Sequence, residues 1–105
     1  GCHYLLGNSK ACTGATDTTY GTGITDSGGV ALKQTNGTIV DQVGLSSGSA
    51  FQEGTPLASF PNGSSDRSYA RASADTNNNA SDFSLITPST PLTSAASCSE
   101  RVMAR

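Results

Sequence analysis

Apolar residues in this chain come in short runs, cut by Gly, Pro or Asn in nearly every ten-residue window. No apolar set recurs at i, i+3 and i+4 over a useful length, so the pattern predicts no helix. Short β-rich runs do recur at even spacing and predict strands over His3–Leu6, Val30–Thr35, Thr38–Leu45, Arg67–Ala72 and Asp82–Ile86. The fold class read from this pattern is all-β.

The second and third runs flank Asn36-Gly37, a pair that favours the positive φ angles of a two-residue type I′ hairpin turn. That turn would set Thr35 opposite Thr38, Gln34 opposite Ile39, Leu32 opposite Asp41 and Val30 opposite Val43. Val30, Leu32, Ile39 and Val43 then share the face expected to meet the core, with Ala31, Lys33, Val40 and Gln42 on the other. Asp41 is the exception on the apolar face. A carboxylate there requires donors, because an unpaired buried charge costs several kcal/mol, as an order of magnitude. Asp41 is therefore expected to cap backbone N–H groups of the turn over Gly44–Ser49 or to pair with Arg67 or Arg71. The alternative is a one-residue bulge that turns it to solvent.

Phe51–Gly63 reads as a long surface connection broken by Pro56, Pro61 and Asn62-Gly63, with Leu57 and Phe60 tucked onto a sheet edge. Ser99–Arg105 has some helical propensity but is too short to hold a helix alone. The predicted organisation is one domain over residues 1–93 and a flexible tail over 94–105.

Composition thins the expected core. Only 34% of the 105 residues are apolar and Trp is absent, while Gly, Ser, Thr and Asn dominate the remainder. Low charge and the regular strand runs argue against disorder. The net charge of −2, with six scattered Lys and Arg, gives no electrostatic footprint for nucleic acid. No apolar run approaches the roughly 18 residues that a membrane helix needs, and Gly1–Leu6 has no basic flank of the kind that opens a signal peptide. Cys2, Cys12 and Cys98 allow one disulfide, and a local Cys2–Cys12 bridge around Asn8-Ser9-Lys10 stands beside the alternative of free thiols. No pair has the C-x-x-C spacing of a zinc site.

Three motifs carry candidate chemistry. Gly44-Leu45-Ser46-Ser47-Gly48 matches the G-x-S-x-G nucleophile elbow. Gly54-Thr55-Pro56 forbids the helix that motif needs, and the lone histidine, His3, precedes the serine, so the motif reads as a turn. Asp75-Thr-Asn77-Asn-Asn79 resembles the opening of a calcium loop, with Asp82 as a late carboxylate. Ala80 and Ile86 stand where such a loop needs Gly and Glu, and Asx-turns are the competing reading. Asn36-Gly-Thr38, Asn62-Gly-Ser64 and Asn79-Ala-Ser81 each fit the glycosylation sequon. No acid–base pair or nucleophilic constellation is evident, so catalytic residues, bound cofactors and metal ligands are all read as none, with calcium the one alternative.

The order of segments resembles the lamin-tail domain. Gly28-Gly29-Val30-Ala31-Leu32 resembles one of its strands and Ile39–Gly44 the hairpin partner, with Glu53-Gly54-Thr55-Pro56-Leu57 similar to the following loop. Asp66-Arg67-Ser68-Tyr69-x-Arg71 and Asp75-x-Asn77-x-Asn79-Ala80-x-Asp82-Phe83 resemble the last two strands, so the likeness runs from residue 3 to about 91. It implies an immunoglobulin-like β-sandwich, here incomplete, because the family's upstream strands and its Gly-Trp segment are missing. It also implies a noncatalytic interaction or spacer module of a secreted or cell-surface protein, with a neighbouring catalytic domain or a surface component as partner. The alternatives are a calcium-stabilised binding domain using Asp75, Asn77, Asn79 and Asp82, or an accessory domain of an extracellular nuclease or phosphoesterase. Unpaired strand edges in an incomplete sandwich would favour self-association.

Overall fold

A computed structural model describes residues 3–12, 14–25, 27–60 and 66–95. The chain divides into two compact units, one made of Gly1–Gly23 with Thr90–Arg105 and the other of Ile24–Ser89. Among the described residues, regular structure is mostly strand, in two-stranded sheets, with a single turn of helix. No helix among them is long and apolar enough to cross a membrane.

In the first unit β1 (Leu6–Asn8) pairs in parallel with β2 (Thr18–Tyr20), Leu6 opposite Thr18 and Asn8 opposite Tyr20. The expected strand over His3–Leu6 meets this pair only at Leu6. Its neighbour Leu5 is held instead by Asp17, whose Oδ2 accepts the Leu5 N–H at 2.8 Å while the Leu5 carbonyl accepts from Asp17 and Thr18. Asp17 also takes the Ser94 N–H at 2.8 Å on Oδ2 and the Ser94 hydroxyl on Oδ1. The Ser94 hydroxyl, then the Leu5 amide, hold its carboxyl below the ordinary aspartate value. Ser94 was expected to open a flexible tail; here it is the donor that closes this clasp. Residues 96–105, with the rest of that tail and Cys98, lie outside the described residues, as does Cys2. Cys12 is an exposed free thiol.

In the second unit β3 (Gly29–Lys33) and β4 (Ile39–Gly44) form the expected antiparallel hairpin. Val30 faces Val43 and Leu32 faces Asp41, as the turn signal implied. The tip is built differently. Gly37 donates to the Gln34 carbonyl at 2.9 Å, Gln34 donates to Thr38 at 2.8 Å, and the positive φ falls on Gly37 (91°) and not on Asn36. This is a three-residue connection with a left-handed glycine in place of a two-residue type I′ turn. Such a tip shifts the pairing by one residue, so Lys33 faces Ile39, and the register slips back between Leu32 and Lys33. The extra residue is Val40, absorbed as a bulge.

That slip also corrects the expected core face. Ile39 moves across from Val30 and Leu32 to the side of Lys33, since one residue of shift exchanges faces. Val30, Leu32 and Ile39 are exposed and Val43 is half-buried. The one buried hydrophobic residue among those described is Leu57, whose N–H bonds the Gly44 carbonyl at 3.0 Å. Phe60 is half-buried with its ring 5.0 Å from that of Tyr69. Residues 61–65, with Asn62-Gly63, lie outside the described set.

Strand β5 (Ser68–Arg71) pairs antiparallel with β6 (Phe83–Ile86), Ser68 opposite Ile86 and Arg71 opposite Phe83. The segment between them contains an element that periodicity could not reveal, the single turn α1 (Asn79–Asp82). Four residues cannot display a 3.6-residue period, and the cue is local: the Asn78 side chain caps the turn by accepting from the Ser81 N–H.

Backbone proximity constrains the start of the hairpin most tightly. A Cβ at Gly29 would lie 1.7 Å from the Ala50 carbonyl oxygen, so any side chain must push main chain aside. Gly29→Ala is expected to destabilise the chain by about 1–3 kcal/mol, read as a lower urea midpoint, whereas an unchanged midpoint would contradict the close approach.

Candidate functional site

Of the residues singled out between Asp75 and Asp82, Asn79 and Asp82 are buried in the second unit, while Asp75 and Asn77 are exposed. Asn79 is fully buried, and its Oδ1 accepts the N–H groups of Gly44 and Glu53, each at 2.9 Å. Its Nδ2 donates to the Gln42 carbonyl at 3.1 Å, and its own N–H bonds the Glu53 carbonyl at 3.0 Å. One carboxamide thus joins the end of β4 to the loop at Glu53. Asp82 is also fully buried. Its Oδ1 accepts the Thr76 hydroxyl at 2.7 Å, and its Oδ2 accepts the N–H groups of Thr76 at 2.9 Å and Asn78 at 3.4 Å. The Thr76 hydroxyl, outweighing burial, leads the bonds that hold the Asp82 carboxyl below its ordinary value.

Asp75 makes an Asx-turn, its Oδ1 accepting the Asn77 N–H at 3.0 Å, and Asn77 takes the left-handed φ of 57° that asparagine tolerates. Asn79 and Asp82 thus turn their side-chain oxygens to backbone and hydroxyl donors of the protein, and Asp75 gives one of its own to the Asn77 N–H.

A different acidic group does converge. One side-chain oxygen from each of Asp41, Glu53 and Asp75 lies within 4.8 Å of the others. Arg71 stands at its edge, with Nη2 2.5 Å from Asp41 and Nη1 3.7 Å from both Asp75 and Asp82. Its guanidinium also lies 4.5 Å from the Phe83 ring centroid. The expected pairing of Asp41 with Arg71 is therefore present, and the strand also carries a bulge, at the preceding residue, Val40. Asp41 additionally accepts the Gln42 N–H at 2.8 Å.

Glu53 is the member the sequence did not single out, since it reads only as part of a Gly-Pro connection. Burial, then the neighbouring Asp75 and Asp41, raises its carboxyl above the ordinary glutamate value, with Arg71 opposing. The group as a whole is one guanidinium among four carboxylates.

Ser46 lies in a turn. Its N–H donates to the Ser49 hydroxyl at 2.9 Å, the two hydroxyls are 3.2 Å apart, and the Ser49 hydroxyl donates to the Ser27 carbonyl at 2.9 Å. Gly48 follows with a φ of 79°. These bonds close a loop in which the serines serve each other and the backbone. Of the sequons, Asn36 is exposed at the hairpin tip and Asn79 is fully buried.

The chain matches no protein-family model, no curated protein and no solved structure.

Two expectations come from this geometry. Asn79→Ala strands the Gly44 and Glu53 N–H groups, at a cost of about 2–5 kcal/mol, and should abolish or severely lower the cooperative urea transition. The second concerns charge. A raised folded-state pKa means that Glu53 disfavours the native state once it ionises, so that cost appears as pH rises through the folded value. Glu53→Gln should therefore raise the urea midpoint at neutral pH, with the gain shrinking below the glutamate range. A gain independent of pH would exclude the charge explanation.

Proposed function

We propose that the chain is a noncatalytic interaction or spacer module of a secreted or cell-surface multidomain protein, of the lamin-tail type, with strands that belong to an immunoglobulin-like sandwich. The observation carrying this reading is the uncovered apolar surface of the β3–β4 hairpin. Leu32 is 63% exposed and Val40 54% exposed, with Val30, Ile39 and Phe51 also open to solvent. Scattered exposed apolar residues are ordinary, but five stand open on one hairpin and its following loop, with Val30 and Leu32 on one face and Ile39 on the other, while Leu57 is the one buried hydrophobic among the described residues. Lys33, on the same side as Ile39, sets its ammonium 5.0 Å from the Phe51 ring centroid.

The polar interior agrees with the same reading. The side chains singled out for candidate chemistry, Ser46, Asp75 and Asp82, are held by intramolecular bonds. A module of this kind positions a neighbouring catalytic domain or a surface component, and its own contribution is shape and contact. Two-stranded sheets leave strand edges without a neighbour in their sheet, which supports association between copies as a further property.

Sedimentation velocity across a wide concentration series tests this. The wild-type chain is expected to show rising weight-average mass with concentration, and Leu32→Lys combined with Val40→Lys should return it to a monomer while leaving circular dichroism unchanged. A wild-type chain that remains monomeric throughout would remove the exposed apolar residues of the hairpin as an argument for an interaction role.

A further inference from the structure

The hairpin tip carries chemistry of its own. Asn36 is followed by Gly37, one of two Asn-Gly pairs in the chain, and both residues are exposed. Asparagine before glycine is the arrangement in which a backbone nitrogen meets least steric resistance in reaching the preceding side-chain carbonyl, because the following residue has no Cβ. At Gly37 even the space a Cβ would take is open, with nothing within 4 Å.

The closed tip engages both reacting groups in hydrogen bonds to other residues. The Gly37 N–H, which must lose its proton to attack, donates to the Gln34 carbonyl at 2.9 Å. The Asn36 Oδ1, which belongs to the carbonyl under attack, accepts the Thr38 N–H at 2.9 Å. The second of these bonds ties the carboxamide to Thr38, and the first occupies the nucleophile. Opening the hairpin releases the two together. Asn77, Asn78 and Asn79 precede bulkier residues, and Asn79 is additionally buried with its amide bonded.

We propose that Asn36-Gly37 is a self-modification site gated by the hairpin, at which opening of the tip converts Asn36 to aspartate and isoaspartate. The Gly37 nitrogen forms a bond to Asn36 Cγ, the Cγ–Nδ2 bond breaks, and the Gly37 proton leaves with Nδ2 as ammonia. Water then opens the cyclic imide at either carbonyl, giving aspartate or isoaspartate with no change of oxidation state. Either product places a new carboxylate at the tip. Isoaspartate also inserts a methylene into the backbone, which breaks the fit between Gln34 and Thr38 and with it the register that the bulge at Val40 restores. Modification would thereby make hairpin opening irreversible.

The test is incubation of the full chain at mildly alkaline pH, in native buffer and in denaturing urea, followed by fragmentation mass spectrometry that reads Asn36 separately from Asn62. Enzymatic methylation of isoaspartate identifies the product, and Asn36→Gln serves as the blank. Conversion at Asn36 is expected to run on the order of tenfold or more faster in urea, since the closed tip reacts only through local opening. Equal rates in the two solvents would overturn gating by the hairpin. Failure of Asn36 to convert in either, or conversion confined to Asn62, would overturn the site itself.

Discussion

The carboxamide of Asn79 is the interaction on which the second unit depends. It satisfies the N–H groups of Gly44 and Glu53 and the Gln42 carbonyl from a position with no solvent access. In a larger domain, apolar side chains packed between layers would hold a hairpin to its neighbouring loop. Here Leu57 is the one hydrophobic residue buried among those described, so hydrogen bonding must supply the positioning. Such bonds contribute modestly when made and cost far more when half of one is removed, which makes this interior specific but intolerant of change. Asn79 is placed by α1, whose capping by Asn78 orients it.

Around this pin the charges are arranged to limit one another. Arg71 faces Asp41, Asp75 and Asp82, and lies on the Phe83 ring. Asp82 is ionised by its donors from Thr76 and Asn78, while Glu53, with burial and like charges about it, is drawn toward the neutral form. The two carboxyls therefore pull stability in opposite directions with pH: the lowered pKa of Asp82 contributes stability that is lost on acidification, and the raised one of Glu53 recovers some. This opposition is the consequence of packing several acids around a single guanidinium in a unit with little apolar mass. It gives the interior a structural electrostatic role.

Much of the second unit was legible in the residues. The β-rich runs gave β3, β4, β5 and β6 nearly in place, and pairing of Val30 with Val43 and of Leu32 with Asp41 followed from the Asn-Gly signal. The tip itself did not follow. Asn-Gly is compatible both with a two-residue turn and with a longer one ending on a left-handed glycine, and the compensating bulge at Val40 hid the difference from the outer pairs. The parallel pairing of β1 with β2 had no local signal at all, because adjacent strands joined by a short connection ordinarily pair antiparallel. Three-residue strands are also too short to show alternation. At the site, the need of Asp41 for a cation was readable from its place among apolar neighbours. The part played by Glu53 was not, because its environment is made by residues distant in the chain.

The amino-acid sequence by itself determined the β-rich character, the hairpin and the Asx-turn chemistry of the Asp75–Asp82 segment. Each depends on backbone preferences within a few residues of one another. Only the tertiary structure decided which polar groups would be buried, that Asn79 would serve β4 while Asp82 served its own loop, and that Val30, Leu32 and Ile39 would stay exposed. Those outcomes depend on what covers a surface and which distant donor reaches an acceptor. Periodicity marks a side chain as apolar or polar, and it carries no information about whether another element will pack against it.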